Sequence, residues 1–133
     1  MPTMANVVVK KADGTTDVTY TAIQPAGGDG TNAVWRVESI GTIAGNRPYL
    51  VVSSKPTADR KARVVNWTLK YPETMTNSTT GVISVRTAAV AKGSFIVSLD
   101  AADVTNTEAA AQMANLLKSP LLQSVMTSGF APV

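Results

Sequence analysis

The chain of 133 residues contains no cysteine and no histidine. Disulfides, thiolate nucleophiles, zinc centres and histidine-based triads or general bases are therefore excluded. Charged residues make up only 16% and aromatics 5%, against a usual charged share of ~25%. The longest unbroken apolar runs, Tyr49 to Val52 and Ala88 to Ala91, hold four residues each. A membrane-crossing helix needs ~20. The opening residues, Met-Pro-Thr-Met-Ala, have neither a basic nor an apolar segment, so no signal peptide is expected and a cytoplasm is the expected site of synthesis. No serine has a lysine three residues on, so the Ser-x-x-Lys nucleophile arrangement is absent, and the acids are scattered, which makes an enzyme acting through Asp or Glu the least favoured reading.

What is present is apolar. Hydrophobic residues reach 44%, which excludes a disordered chain. One domain over residues 1–133 is expected from the length. A chain this apolar and this poor in charge is expected to cover part of its surface with other subunits. The net charge is only +3, but it is unevenly spread. Lys55, Arg60, Lys61, Arg63 and Lys70 face the single acid Asp59 within residues 55–70, whereas residues 93–133 hold Lys118 against Asp100, Asp103 and Glu108. A basic segment on a near-neutral body suits a polyanion.

The first three-quarters read as strands. Val7 to Val9 is β-branched, and Asp13-Gly14 after it is a hairpin signal. Val18 to Ile23 reads as the second strand, Ala33 to Ile40 as the third and Tyr49 to Ser54 as the fourth, with turns at Gln24–Gly30 and Gly41–Pro48. From Arg63 to Lys70, Val65, Trp67 and Leu69 alternate with more polar neighbours, as expected for a strand with one apolar face. Pro72 is expected to stop it, leaving Glu73 to Gly81 as a polar loop. Val82 to Ala91 reads as the sixth strand, continuing through Ser94 to Leu99 after a kink at Gly93. Gly27-Gly28-Asp29-Gly30 reads as a turn, because no helix follows it.

The period then changes. Thr105 and Glu108 have capping-box spacing, and Ala109, Met113, Leu116 and Leu117 recur at helical spacing. Asp100 and Asp103 suit the positive end of that helix. Ser119-Pro120 opens a second helix with inner residues Leu121, Leu122, Val125 and Met126, ended by Gly129. Trp35, Trp67, Met113 and Met126 are expected to pack in the core. Strands followed by helices give an α+β fold with an antiparallel sheet. Two short helices cover only part of one sheet face, and edge strands need protection. A homodimer that joins sheets and exchanges helices answers both needs.

Ser53 to Pro72, and above all Pro56-Thr-Ala-Asp-Arg60-Lys61, resembles the coat proteins of single-stranded RNA bacteriophages, in their Q-beta-like branch. Leu116-Leu117-Lys118-Ser119-Pro120-Leu121-Leu122 resembles the joint between that family's two helices, and Thr31-Asn32 resembles its lead into a strand. The resemblance implies an N-terminal β-hairpin (1–23), a five-stranded antiparallel sheet (31–99) and two C-terminal helices (105–128) in an interlocked dimer. It implies dimers that build an icosahedral shell around viral single-stranded RNA, assembled in the cytoplasm of a bacterial host, and a sheet face that binds an RNA hairpin and so represses replicase translation. Thr74, Met75, Thr76, Asn77, Ser78, Thr79 and Thr80 are then the loop between dimers, uncrosslinked for want of cysteine, in a shell less resistant to heat. Met113, Leu116, Leu117, Leu121, Leu122 and Val125 are the helix and dimer packing residues. No cofactor, metal, membrane or small-molecule substrate is expected.

By the same resemblance the RNA side of the sheet carries even-numbered residues. They are Leu50, Val52 and Ser54; Arg60, Ala62, Val64, Asn66 and Thr68; and Ser84, Arg86, Ala88, Val90 and Lys92. Arg60, Arg86 and Lys92 are expected at phosphates, and Ser54, Asn66 and Thr68 at bases or ribose. Val90 stands where the family stacks a base on tyrosine, and Ala62, Val64, Thr68, Leu50 and Val52 also replace polar family residues. A lost stack costs ~1–3 kcal/mol, so weak and strongly salt-dependent RNA binding is expected. The alternative is a small dimeric nucleic-acid-binding protein that forms no shell.

Overall fold

The computed structural model describes residues 2–41 and 43–133. Of the expected turn from Gly41 to Pro48, only Thr42 lies outside the described residues. Six strands follow in chain order: β1 (Val7–Lys10), β2 (Asp17–Gln24), β3 (Asn32–Val37), β4 (Tyr49–Pro56), β5 (Ala62–Thr76) and β6 (Ile83–Ser98). Two helices close the chain, α1 (Asp103–Leu117) and α2 (Pro120–Ser128). Each strand pairs antiparallel with the next, giving one six-stranded sheet in the order β1-β2-β3-β4-β5-β6.

The N-terminal hairpin is therefore part of the sheet and not a separate element beside five strands. Tyr20, Thr21 and Ala22 pair with Val37, Arg36 and Trp35, and a bulge follows before Gln24 meets Val34. The Asp13-Gly14 signal holds. Asp13 accepts hydrogen bonds from the Thr15 and Thr16 amides at 2.9 Å and from the Thr16 hydroxyl at 2.5 Å, and Gly14 takes the positive φ of 71° that glycine tolerates.

β3 ends at Val37, three residues before the expected Ile40, because the chain turns through a short 3-10 segment, Ala44–Asn46, into β4. β5 and β6 run longer than their sequence suggests. Pro72 does not stop β5; it sits opposite Ala88, and pairing continues to Thr76 opposite Ile83. A proline keeps its strand where the missing N–H is not needed for the ladder. β6 also passes through Gly93 without a break. A bulge where Glu73–Thr74 meets Thr87–Val85 shifts the outer part of this hairpin.

Antiparallel partners share a face, so the register sorts every side chain. One face is apolar: Tyr20, Trp35, Val37, Leu50, Val52, Val65, Trp67, Leu69, Tyr71, Phe95 and Val97. Among the described residues only Val37, Pro48 and Pro72 are buried. Val37 stands opposite Tyr20 and donates its amide to the Pro48 carbonyl at 2.9 Å. Tyr20 and Tyr71 border one cleft of about 360 Å³. Burial and the nearby Tyr71 push the Tyr20 hydroxyl above its ordinary pKa. The sheet thus curls at this end so that the two rings close over the residues between them.

Trp35 and Trp67 lie on the apolar face as expected but are only half-buried. The Trp35 indole N–H donates to the Ala5 carbonyl at 2.8 Å, and the Ala22 amide donates to Asn6 Oδ1 at 2.9 Å, so the segment before β1 is tied to the sheet.

The helices begin differently from one another. α1 starts two residues before the expected cap. Ala102 is its N-cap and supplies no side-chain bond, so the Thr105–Glu108 capping box does not form. Asn106 instead donates to the Ser98 carbonyl at 2.9 Å, fixing the helix to the end of β6, and Glu108 accepts from Gln112 at 2.8 Å. Asp103 sits in the first turn, where the helix dipole favours it. α2 starts and stops as its sequence requires. Ser119 accepts from the Leu122 amide at 3.4 Å, Pro120 occupies the first turn, and Gly129 ends the helix at φ 78°.

Neither helix has a buried residue. Met113 is 46% exposed, Leu116 55% and Leu121 60%, with Leu117, Leu122 and Val125 half-buried. Met113 and Met126 are thus not core residues within the chain. α1 leans on β6 and α2 on α1, and the two leave the apolar sheet face largely uncovered.

Candidate nucleic-acid interface

The other face of the sheet is polar and reads across the strands in rows. Asn32, Ser53, Asn66 and Ser94 form one row of amides and hydroxyls. Val34, Val51, Thr68 and Lys92 form the next. Arg36, Tyr49, Lys70 and Val90 form a third, and Lys55, Val64 and Ile96 flank the first on its other side. Side chains directly opposite in such rows are ~5 Å apart at Cβ, so each row is continuous.

On β4 to β6 this face carries Lys55, Lys70 and Lys92 and no acid. Arg86 falls in the bulge between Val85 and Thr87 and is exposed. Arg60 is also exposed and sits in the turn joining β4 to β5, with a φ of 57°. That turn is held by Thr57, whose hydroxyl donates to Asp59 at 2.6 Å and accepts from the Ala62 amide at 3.1 Å. The hydroxyl and the Lys61 amide hold the Asp59 carboxyl below the usual carboxylate range. Lys61 and Lys118 lie outside the rows.

The even-numbered residues expected together share one face on β5 and on most of β6, whereas on β4 the odd-numbered residues stand beside them. Asn66, Thr68 and Lys92 come together, and Arg86 and Arg60 stand at the margins. Ser54 does not join them: it pairs with Val65, while Ser53 pairs with Asn66. Leu50 and Val52 likewise lie on the apolar face, in line with Leu69 and Trp67, and Tyr49, Val51 and Ser53 take their places. Ser84 pairs with Met75 beyond the bulge and leaves the row pattern. The cause is arithmetic in the turn. β4 and β5 pair so that the two residue numbers sum to an odd value, which sets even numbers on one strand beside odd numbers on the other, and a one-residue change of register moves a whole strand to the other face. Ser54 is instead a partner of Arg63, which donates to its hydroxyl at 3.3 Å and pairs with Asp29.

Reading by residue type missed Ser53, Lys70, Tyr49 and Arg36 as members of this face. The Arg36 guanidinium pairs with Glu38 at 2.7 Å, and Arg47 pairs with the same carboxylate, so two cations share one acid there. Lys70 was visible only as one cation of a basic segment.

No protein-family model matches the sequence, and no curated protein is similar to it by sequence. Solved structures are similar in fold. The virus-like particle protein of Beihai levi-like virus 21 superposes with a TM-score of 0.82 at 18% identity, covering 99% of this chain and 98% of that one. That of bacteriophage NT-214 gives 0.83 at 14% identity, covering 99% and 100%. The bacteriophage GA protein capsid gives 0.74 at 18% identity, covering 96% and 95%. The chain has the RNA phage coat-protein fold.

Within the coat-protein fold the chain's loop between β5 and β6 is shorter than its polar sequence suggested. Thr74, Met75 and Thr76 are strand residues opposite Val85, Ser84 and Ile83. Only Asn77 to Val82 turns, with Asn77 Oδ1 accepting from the amides of Thr79 at 2.9 Å and Thr80 at 3.1 Å and Ser78 between them. This outer hairpin projects past the four-strand rows, and Met75 and Val82 on it are exposed.

Proposed function

We propose that this protein is a structural capsid subunit, not an enzyme, which dimerises and then assembles into an icosahedral virion shell around single-stranded RNA. The observation that carries the reading is the division of one curled sheet into a face that bears cations and no acid on β4 to β6 and an apolar face that the chain's own helices leave open. A second copy supplies the missing cover. Leu116, Leu121 and Met113 pack with Leu117, Leu122 and Val125 on the partner's sheet, and each large side chain fully buried there contributes ~1.5–3 kcal/mol. The outer hairpin with Asn77 to Thr80 meets its copies between dimers.

The cationic face then lines the interior. Lys55, Lys70, Lys92 and Arg86 neutralise phosphates, with Arg60 at the rim, and each contact steepens the salt dependence of binding. Ser53, Asn66 and Thr68 hydrogen-bond unpaired bases or ribose. Repression of replicase translation is the consequence if one hairpin is preferred.

Size-exclusion chromatography and negative-stain microscopy of the purified protein test the reading. Uniform closed particles with nucleic-acid absorbance support it. Free monomers at micromolar concentration overturn it, and free dimers that bind RNA leave the shell-less nucleic-acid-binding protein in its place.

A further inference from the structure

Seven aromatic residues occur in the chain, and their placement is uneven. Tyr20, Trp35, Trp67, Tyr71 and Phe95 belong to the apolar face, and Phe130 lies beyond α2. Tyr49 alone belongs to the polar face. Its cross-strand partners there are both cations, Arg36 on β3 and Lys70 on β5. Thr68 and Val51 occupy the neighbouring row. Tyr49 is half-buried, so its ring is supported by the sheet yet not covered.

We infer that Tyr49 is the platform on which this face stacks an unpaired nucleobase of single-stranded RNA, with Lys70 and Arg36 holding the flanking phosphates. The inference rests on the RNA-facing role proposed above. A sheet surface of valine, threonine and lysine offers charge and hydrogen bonds but no π-face apart from this ring. Single-stranded nucleic acid is held by that combination, cations along the backbone and aromatic rings under the bases. A tyrosine seated directly between two cations satisfies both at adjacent positions. Arg36 keeps its orientation through Glu38, which leaves Lys70 as the freer phosphate contact.

The test compares binding of a single-stranded oligoadenylate with binding of an abasic strand of equal length, across a salt series. Wild-type protein is expected to favour the oligoadenylate by roughly 5- to 150-fold, the range of a single base stack. Tyr49→Ala is expected to lose that preference with its salt slope unchanged, Tyr49→Phe to keep it, and Lys70→Ala to lower the slope by about 1. Tyr49→Leu, closer in volume, is expected to behave as Tyr49→Ala and serves if the alanine variant does not fold. Equal wild-type binding of the two strands overturns the stacking role, as does an undiminished preference in both Tyr49→Ala and Tyr49→Leu; in either case a lowered slope in Lys70→Ala leaves the RNA-facing role standing. Absence of wild-type binding to either strand at low salt overturns both.

Discussion

Trp67 and Gly93 stand directly opposite each other on β5 and β6, and the Trp67 indole occupies the space that a side chain at position 93 would need. The glycine is therefore not a kink. It is the recess that the Trp67 indole fills on the neighbouring strand, between Ala91 and Phe95. The sheet stays continuous because the ring, not the backbone, uses the room.

Gly93→Ala should destabilise the protein although alanine ordinarily suits a strand better than glycine. The added Cβ forces the indole out of its place, and overpacking of this kind costs ~1–3 kcal/mol. Chemical denaturation should show a lower midpoint, and Trp67 fluorescence should shift to longer wavelength. An unchanged midpoint would show that the ring moves freely.

The register of β4 makes a paired prediction. Ser53→Ala should weaken RNA binding severalfold, because Ser53 shares a row with Asn66. Ser54→Ala should leave RNA binding unchanged, because Ser54 lies on the other face beside Arg63. Its effect should appear in thermal stability instead. Filter binding and thermal melting of the two variants separate the outcomes.

Two ionisable groups predict opposite ends of the pH profile. Asp13 is lowered from 3.8 to about 2, chiefly by the Thr16 hydroxyl and then by the Thr16 and Thr15 amides. A depressed carboxyl supports the turn above its unfolded value and loses that support as pH falls through the folded one. Hydrogen exchange at Thr15 and Thr16 should therefore rise, relative to other turns, as the pH drops from about 4 towards 2. Tyr20 has the reverse sign. Its pKa is raised above 10.0, chiefly by burial and then by Tyr71, so stability is intact below pH 10 and falls as the pH climbs through the folded value. Tyr20→Phe should remove this alkaline loss in melting experiments.

Arg60 holds a left-handed backbone at φ 57° in the turn between β4 and β5. Such a conformation costs a non-glycine residue ~1 kcal/mol. Arg60→Gly should therefore keep or raise the melting temperature, while Arg60→Val should lower it. If Arg60 serves only at the rim of the RNA face, the glycine variant should lose about one phosphate contact in the salt slope and nothing more.

Much of the fold was legible because its signals are local. Asp13-Gly14 makes its turn from its own side chain, Ser119-Pro120 caps a helix from within four residues, and Gly129 ends it by tolerating a backbone angle. The alternation of Val65, Trp67 and Leu69 is likewise a property of one strand. The Thr105–Glu108 spacing misled because Asn106 found a better partner in the Ser98 carbonyl, a contact between elements. Pro72 misled for a similar reason, since whether a proline ends a strand depends on which edge its nitrogen faces.

The sequence by itself determined the number and order of strands and helices, that one side of the sheet is apolar, and that cysteine and histidine chemistry is absent, since each follows from residue type and short spacing. Only the tertiary structure decided which side chains stand together. The turn from Thr57 to Lys61 sets Ser53 and not Ser54 beside Asn66, and places Tyr49 between Arg36 and Lys70. Register is a relation between strands, fixed by turn geometry and the packing of whole faces. A single residue of slip reverses it, and no pattern within one strand records the choice.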